Sequence, residues 1–241
     1  MKYALVTGST KGIGREIGIS LLKNDYYVIF NYFNDFKSAE VLDEFLSNQF
    51  KGKYSIIKED FSDYLIIDVF VKKIEAITKS LNVIVFNVGI TDRSNFEQIT
   101  WEIWQKEFNT NLSIPFFLLK SLFNILIDES SIVFIGSLLG NITHSSSLSY
   151  GVSKSAVHSL VKNLVKYLAQ KKIRVNGIAP GFVDTNWQND KPDWLKEKIM
   201  NKIALERFCA PNEISSLVML LIENNYINGE IIQIDGGYNY K

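Results

Sequence analysis

The chain of 241 residues contains one cysteine, Cys209, and two histidines, His144 and His158. A single thiol excludes an intramolecular disulfide, and so few thiol and imidazole groups argue against a Cys/His metal cluster. Neither sign of charge is in excess, with Lys+Arg and Asp+Glu at 26 each, so there is no basic field to attract nucleic acid. No apolar run approaches the roughly 18 residues that a membrane span needs. Met1 and Lys2 lead straight into an apolar strand and a glycine turn, without the apolar stretch and cleavage site of a secretory signal. These absences give the expectation of a cytoplasmic, metal-free protein with no nucleic-acid or membrane partner. What is present is an ordinary globular composition, 46% hydrophobic and 22% charged.

Short β-branched apolar runs recur at 3–7, 27–31, 54–58, 83–87, 132–136, 174–179 and 231–235. Their lack of polar alternation fits strands buried on both faces of a parallel sheet. Between them lie stretches of helical period at 38–49, 63–79, 101–127 with a break near Pro115, 149–170 and 211–223. This alternation predicts a single-domain, doubly wound (Rossmann-like) α/β fold over 1–241, with about seven parallel strands and right-handed crossovers. The longest irregular stretch, about 182–209, holds Trp187, Pro192, Trp194 and a charged helical segment at 193–202. Long insertions beside strand ends are often lids, and this one is expected to cover a substrate.

The first strand runs into Thr7-Gly8-Ser9-Thr10-Lys11-Gly12-Ile13-Gly14, followed by a helical stretch with Ile13, Ile17 and Leu21 on one side. Glycines there allow a tight turn and close backbone approach, and a helix N-terminus offers free N–H groups to a pyrophosphate. Taken alone, the motif is equally a glycine-rich connection with no ligand. Further on, Tyr150 and Lys154 are four apart and share one helix face. A phenol titrates near about 10 and a neighbouring cation favours its ionised form, although Tyr and Lys at this spacing are common on exposed helices. Ser137 ends the strand at 132–136, thirteen residues before Tyr150. A hydroxyl at a strand's carboxyl end faces the crevice of such a sheet, where it can bond a substrate oxygen while a phenol delivers a proton to it.

Together these segments resemble the short-chain dehydrogenases/reductases over essentially the whole chain. TGSTKGIG is similar to the family's T-G-x-x-x-G-x-G, and Tyr150-Gly151-Val152-Ser153-Lys154 with Ser137 to its catalytic pattern. Asn111, in Asn109-Thr110-Asn111-Leu112, matches the asparagine whose helix distortion supports a proton path through Lys154. The resemblance thus implies a catalytic set of Asn111, Ser137, Tyr150 and Lys154. It also implies a nicotinamide dinucleotide held by Gly8, Ser9, Thr10, Lys11, Gly12, Ile13 and Gly14, with Asp60 and Phe61 beside the adenine. Asn87 and Gly89 of Phe86-Asn87-Val88-Gly89 resemble the N-N-A-G that shapes the same pocket, with Phe86 and Val88 departing from it. Pro180, Gly181, Val183 and Thr185 match the segment beside the nicotinamide, and Tyr150 and Lys154 contact the same cofactor. Tyr32 fills the slot where NAD enzymes carry an acid, with Asp35 the first carboxylate after it, and Lys11 is where NADP-preferring relatives place a basic residue. NADPH/NADP is the expected cofactor.

Gly89-Ile90-Thr91-Asp92-Arg93 and the 180–185 and 211–214 segments resemble the 3-oxoacyl-[acyl-carrier-protein] reductase branch. That branch implies reduction of a 3-oxoacyl thioester in fatty acid biosynthesis, with an acyl carrier protein as possible partner and a homotetramer as assembly. Against this, the turn before the serine strand carries Asp128 and Glu129 where a basic turn is usual, and Lys171, Lys172 and Arg174 are the only cluster to nominate for docking at the pocket mouth. The alternatives are a relative acting on a small alcohol, sugar or free ketone, and a nucleotide-sensing regulator without turnover. The bland expectations are a solvated loop for His144, surface or packing for His158, core for Trp101 and Trp104, and a buried apolar role for Cys209. Trp187 and Trp194 are expected to line a pocket.

Overall fold

The computed structural model describes all residues except 62, 144–146, 190, 239 and 241, so His144 lies outside the described residues. The seven strands are β1 (Lys2–Val6), β2 (Tyr26–Tyr32), β3 (Tyr54–Lys58), β4 (Leu81–Phe86), β5 (Leu126–Ile135), β6 (Arg174–Pro180) and β7 (Ile231–Ile234). They form one sheet in the order β3-β2-β1-β4-β5-β6-β7, with every neighbouring pair parallel. The helices are α1 (Gly12–Lys23), α2 (Phe36–Gln49), α3 (Ile66–Ile77), α4 (Trp101–Phe108), α5 (Ile114–Leu122), α6 (Leu148–Leu168), α7 (Asp193–Met200) and α8 (Pro211–Glu223).

Both faces of the sheet are covered, which is why its strands read as unbroken apolar runs. Successive β1 residues illustrate this: Ala4 and Val6 join the layer built with α1, α2 and α8, and Leu5 joins the layer built with α3, α5 and α6. The strand order reverses between β1 and β4, and at such a switch point the carboxyl ends of the strands open a crevice. The turns after β1, β4, β5 and β6 all emerge at that end.

Three expectations needed correction. The 101–127 stretch is not one helix broken at Pro115: a π-helical segment, Asn109–Ser113, separates α4 from α5, and Pro115 sits in the first turn of α5, where its missing N–H costs nothing. β5 starts at Leu126, six residues before the apolar run, because its first part carries the exposed Ile127, Asp128 and Glu129 and pairs with β4 only at Leu81 before the register shifts. Trp101 is 70% exposed at the start of α4, whereas Trp104 stacks on Phe108 at 4.8 Å one turn later.

Candidate active site

The glycine loop after β1 is braced from two sides. Asn31, near the end of β2, accepts from the Gly8 amide through Oδ1 at 3.1 Å, and Ser9 N–H bonds the Asn31 carbonyl at 2.8 Å. From β4, Asn87 Nδ2 donates to the Thr7 carbonyl at 3.1 Å and the Gly8 carbonyl at 2.7 Å. The contact is tight enough to specify glycine at Gly14, where a Cβ would stand 2.5 Å from the Gly8 oxygen and 2.6 Å from Asn87 Nδ2. Lys11, the residue before α1, has extended backbone and no side-chain cap, so the first-turn amides of Gly12, Ile13 and Gly14 face the loop without a capping side chain. Ser9 and Thr10 are buried, and the Ser9 hydroxyl shapes the turn by donating to the Val6 carbonyl and accepting from the Asn31 amide.

Around the adenine side the proposed residues divide. Tyr32 ends β2 half-buried, and Asp60 is half-buried in the turn that follows β3. Phe61 is 5% exposed, with its ring edge-on to Phe70 in the core, so that ring is turned away from any ligand. Lys11 and Asp35, considered separately in the sequence, form an ion pair, and Asp35 also caps α2 by accepting from the Ser38 amide at 3.1 Å. The Lys11 ammonium holds the Asp35 carboxyl below its ordinary range.

At the other end, β5 delivers Ser137 and α6 delivers Tyr150 and Lys154. Ser137 is 8% exposed, and its Oγ accepts from the Leu139 amide at 3.1 Å, so the hydroxyl proton remains to be donated outward. Lys154, 3% exposed, donates from Nζ to the Ile135 carbonyl at 2.8 Å and lies 5.7 Å from the Tyr150 ring centre. Asn111 falls inside the π segment. It accepts from the Ile90 amide at 2.9 Å and donates to the Ile90 carbonyl at 3.0 Å and to Ser153 Oγ at 2.9 Å, which joins the turn after β4 to α6. Gly89 lies between them, since a Cβ there would be 3.3 Å from Lys154 Nζ and 3.5 Å from Asn111 Oδ1.

The electrostatics differ from the simple expectation that Lys154 pulls Tyr150 toward ionisation. Burial raises the phenol above its ordinary value, the Ser137 hydroxyl opposes that, and the Glu107 carboxyl adds to it. Burial likewise lowers the Lys154 ammonium to about 8. His158, one turn beyond Lys154, is buried and lowered to about 4, first by desolvation and then by the Lys154 charge. Its neutral ring has a defined job that the sequence did not disclose. Nδ1 meets Asn141 Oδ1 at 2.9 Å and Nε2 meets the Ser137 amide at 3.5 Å, which requires the proton on Nδ1. The ring wedges under the Ser137 turn so closely that a Cβ on Gly136 would stand 2.3 Å from Nε2.

The segment after β6 closes the far side. Pro180 ends β6, and the Gly181 amide bonds the Ile234 carbonyl at 2.9 Å. Val183 bridges to Cys209 and Thr185 caps the turn Asn186–Gln188, with Thr185 Cγ2 3.3 Å from where a Cβ on Gly12 would stand. The glycine loop and this segment therefore face each other across the crevice. Trp187 lies 6.4 Å, ring to ring, from Tyr150, whereas Trp194 is 64% exposed with no ring partner among the described residues. Cys209 is half-buried and raised to about 11, chiefly by desolvation, which suits a packing role.

The nominated docking cluster is elsewhere. Lys171 donates to the Phe123 and Leu126 carbonyls at 2.9 and 2.7 Å, and Lys172 pairs with Glu129 at 3.8 Å. Arg174 is buried, binding the Leu221 and Ile222 carbonyls at the end of α8 at 2.6 and 2.7 Å. All three lie at the amino ends of β5 and β6, opposite to Ser137 in the same chain, because charge proximity in sequence said nothing of which end of the sheet it reached.

Among the described residues no group of three or more His, Cys, Asp or Glu could hold a metal ion, and no helix is long and apolar enough to cross a membrane. The glycine cradle, the uncapped helix start and the facing 180–185 segment do fit a dinucleotide.

A family model described as "Enoyl-(Acyl carrier protein) reductase" matches residues 8–239. An uncharacterised oxidoreductase of Bacillus subtilis, YmfI, is 34% identical, with 99% of each chain covered. The 3-oxoacyl-[acyl-carrier-protein] reductase FabG of Staphylococcus aureus is 29% identical, with 98% of this chain and 97% of that one covered. Among solved structures, a mutant Serratia marcescens short-chain dehydrogenase/reductase superposes with a TM-score of 0.92 at 27% identity, covering 98% of this chain and 97% of that one. A Pseudomonas aeruginosa protein, RhlG, described as an NADP active-site complex, superposes with a TM-score of 0.91 at 26% identity, covering 98% and 96%. With the parallel sheet, the glycine loop and these matches over nearly its whole length, the chain belongs to the short-chain dehydrogenase/reductase family of oxidoreductases.

Proposed function

We propose that this enzyme reduces a ketone to a secondary alcohol with NADPH, and that its substrate is a 3-oxoacyl thioester. The observation that carries the reaction is that a half-buried phenol, which desolvation shifts toward its neutral form, stands beside a hydroxyl that already accepts the Leu139 amide. Tyr150, raised by burial, holds its proton at neutral pH, as an acid for carbonyl reduction must. Ser137 Oγ accepts from the Leu139 amide, and its proton, now beside Tyr150, can turn to the same carbonyl oxygen when substrate enters. The bound reduced nicotinamide would supply the hydride to the carbonyl carbon. Tyr150 gives its proton to the oxygen, and the phenolate left behind is stabilised by the Lys154 ammonium, which the Ile135 carbonyl orients. Asn111 holds the Ile90 turn and α6 in register. The 182–209 segment acts as the lid, with Trp187 as an apolar wall beside Tyr150.

The thioester reading is supported by the FabG relative, and the choice of NADPH by Lys11, a cation at the glycine loop, and by Asp35, whose carboxylate is turned to Lys11 and the α2 amide. RhlG was solved with NADP. A homotetramer remains part of the reading by family resemblance. One observation favours a second reading: Lys171, Lys172 and Arg174 lie at the amino ends of β5 and β6, away from Ser137, with Lys172 paired to Glu129 and Arg174 buried, so the cluster nominated to attract an acidic carrier is not at the pocket mouth. That favours a free ketone or a small thioester over a carrier-bound one.

The deciding experiment is steady-state kinetics with NADPH and NADH on carrier-bound and free 3-oxoacyl thioesters, sugars and cyclic ketones. The proposal expects the highest kcat/KM with NADPH and a 3-oxoacyl thioester. Reduction of another ketone while thioesters are ignored replaces it with the second reading, and cofactor binding with no turnover of any carbonyl points to a regulator.

A further inference from the structure

Glu107 is a carboxyl that no step above uses, yet it is 1% exposed and packed against the site. Its Oε1 accepts the Asp92 amide, and Oε2 is sealed from solvent with no well-formed hydrogen bond among the described residues. Burying a carboxylate is costly, so a side chain kept here needs a reason beyond packing.

The surroundings supply one. Asn111 ties Ile90, in the turn after β4, to Ser153 on α6. Glu107 stands four residues before Asn111, Asp92 two after Ile90, and Ser149 four before Ser153. Glu107 holds the Asp92 amide and lies beside the Ser149 hydroxyl, itself 1% exposed. One helical turn before the Asn111 bridge, Glu107 thus stands between the same turn and the same helix, bonded to the turn and adjacent to Ser149 of α6. It meets α6 next to Tyr150.

We propose that Glu107 is a positioning residue, locking the turn after β4 to the first turn of α6, and that its charge sets the pH at which Tyr150 exchanges its proton. This rests on Tyr150 being the proton donor. A negative charge near a phenol opposes its ionisation and keeps it in the acid form that carbonyl reduction uses. The groups around the pair are few. Lys154 shares the helix of Tyr150 with its Nζ 5.7 Å from the ring centre, the Ser137 hydroxyl from β5 favours the phenolate, and Asp92 on the intervening turn opposes the charge on Glu107. His158, beyond Lys154, is held neutral. Within Glu107 itself burial works against the charge, and Ser149 and the Asp92 amide work for it.

The test is Glu107→Gln, which keeps the shape and an oxygen for Asp92 and removes the charge. Tyr150 ionisation is followed as tyrosinate absorbance, each protein minus its own Tyr150→Phe counterpart, so no substrate is needed. The transition is expected to move to lower pH by about half to one unit, and the basic limb of kcat/KM for ketone reduction by the same amount. Glu107→Leu suits the buried site, also removes the charge, and is expected to shift the transition likewise while raising KM through the loosened turn. An unmoved Tyr150 transition in whichever variant folds overturns the proposal, even if the melting temperature falls, because a purely structural role would lower stability alone. A shifted transition in a protein that reduces no ketone would instead leave this coupling standing and remove the assigned reaction.

Discussion

Lys154→Met separates what the site costs from what it does. In the folded chain the ammonium titrates at about 8 against an ordinary 10.5, and at about 1.4 kcal/mol per unit the burial of its charge disfavours folding by about 3 kcal/mol below pH 8. Methionine fills similar space without charge. It also leaves the Ile135 carbonyl, now bonded at 2.8 Å, without its donor, which costs about 1 to 3 kcal/mol. The net expectation at pH 7 is a variant as stable as wild type or up to about 2 kcal/mol more so, a rise of a few degrees for a chain of this size. The pH dependence is sharper. A lysine whose folded value is depressed burdens the fold below that value, and the burden fades as pH rises toward the unfolded value, because the unfolded chain then gives up its proton too. Wild type should therefore gain on the variant between about pH 8 and 10.5 and end more stable, since only the lost hydrogen bond remains. Urea unfolding of both proteins at pH 7 and pH 10 checks this, and titrating groups remote from Lys154 cancel in the difference. A stability gap that is the same at both values, or a variant several kcal/mol weaker at pH 7, refutes the reasoning. Turnover should be lost throughout.

Tyr150→Phe should lower kcat by about two to four orders of magnitude, with NADPH binding by fluorescence and the melting temperature preserved. Retained turnover would remove Tyr150 from the role of acid. Gly136→Ala drives a methyl to within 2.3 Å of His158 Nε2 and 3.0 Å of the Ile178 carbonyl. It should cost about 1 to 3 kcal/mol in unfolding and depress kcat through Ser137, with part of both recovered by adding His158→Ala. Lys11→Ala should raise KM for NADPH about tenfold or more, the scale of one lost charge-assisted contact, while KM for NADH falls or holds as Asp35 is released from its ion pair. Equal effects on both cofactors would take Lys11 out of the choice.

Much of this was legible in the sequence where periodicity or a turn dictated geometry. Six of the seven strands begin and end within two residues of their apolar runs, because a doubly covered sheet admits no polar alternation, and β5 departs where its exposed first part does. Ser137, Tyr150 and Lys154 converge because a strand end and an i, i+4 pair fix direction locally. What was hidden depended on contacts distant in sequence. Nothing near His158 tells that it sits beneath Gly136, twenty-two residues earlier, and the pairing of Gly136 with Gly140 was the only trace. Glu107 in an amphipathic helix reads as a surface charge until α6 is laid across it. The basic trio failed for the opposite reason, since lysines 171 and 172 adjoin each other in sequence and yet serve separate carbonyl and carboxylate partners.

The three hidden or misjudged ionisable groups have a common logic. Glu107, Lys154 and His158 are all buried along the contact between α4, α6 and the end of β5, and each is displaced toward its neutral form by burial. A fold selected only for stability would replace them with apolar side chains, as the layers on either side do with Val157, Val161 and Leu164 one face further along α6. Displaced in this way, their proton affinities can be moved by small changes of nearby charge. A group close to its switching point is what a reversible proton transfer needs, and a phenol that burial holds in its acid form is suited to the reductive direction. The stability lost here is made up by the sheet, whose β1, β2 and β4 centres are wholly apolar and sealed, so the crevice can carry strained electrostatics while the layers beneath keep it rigid.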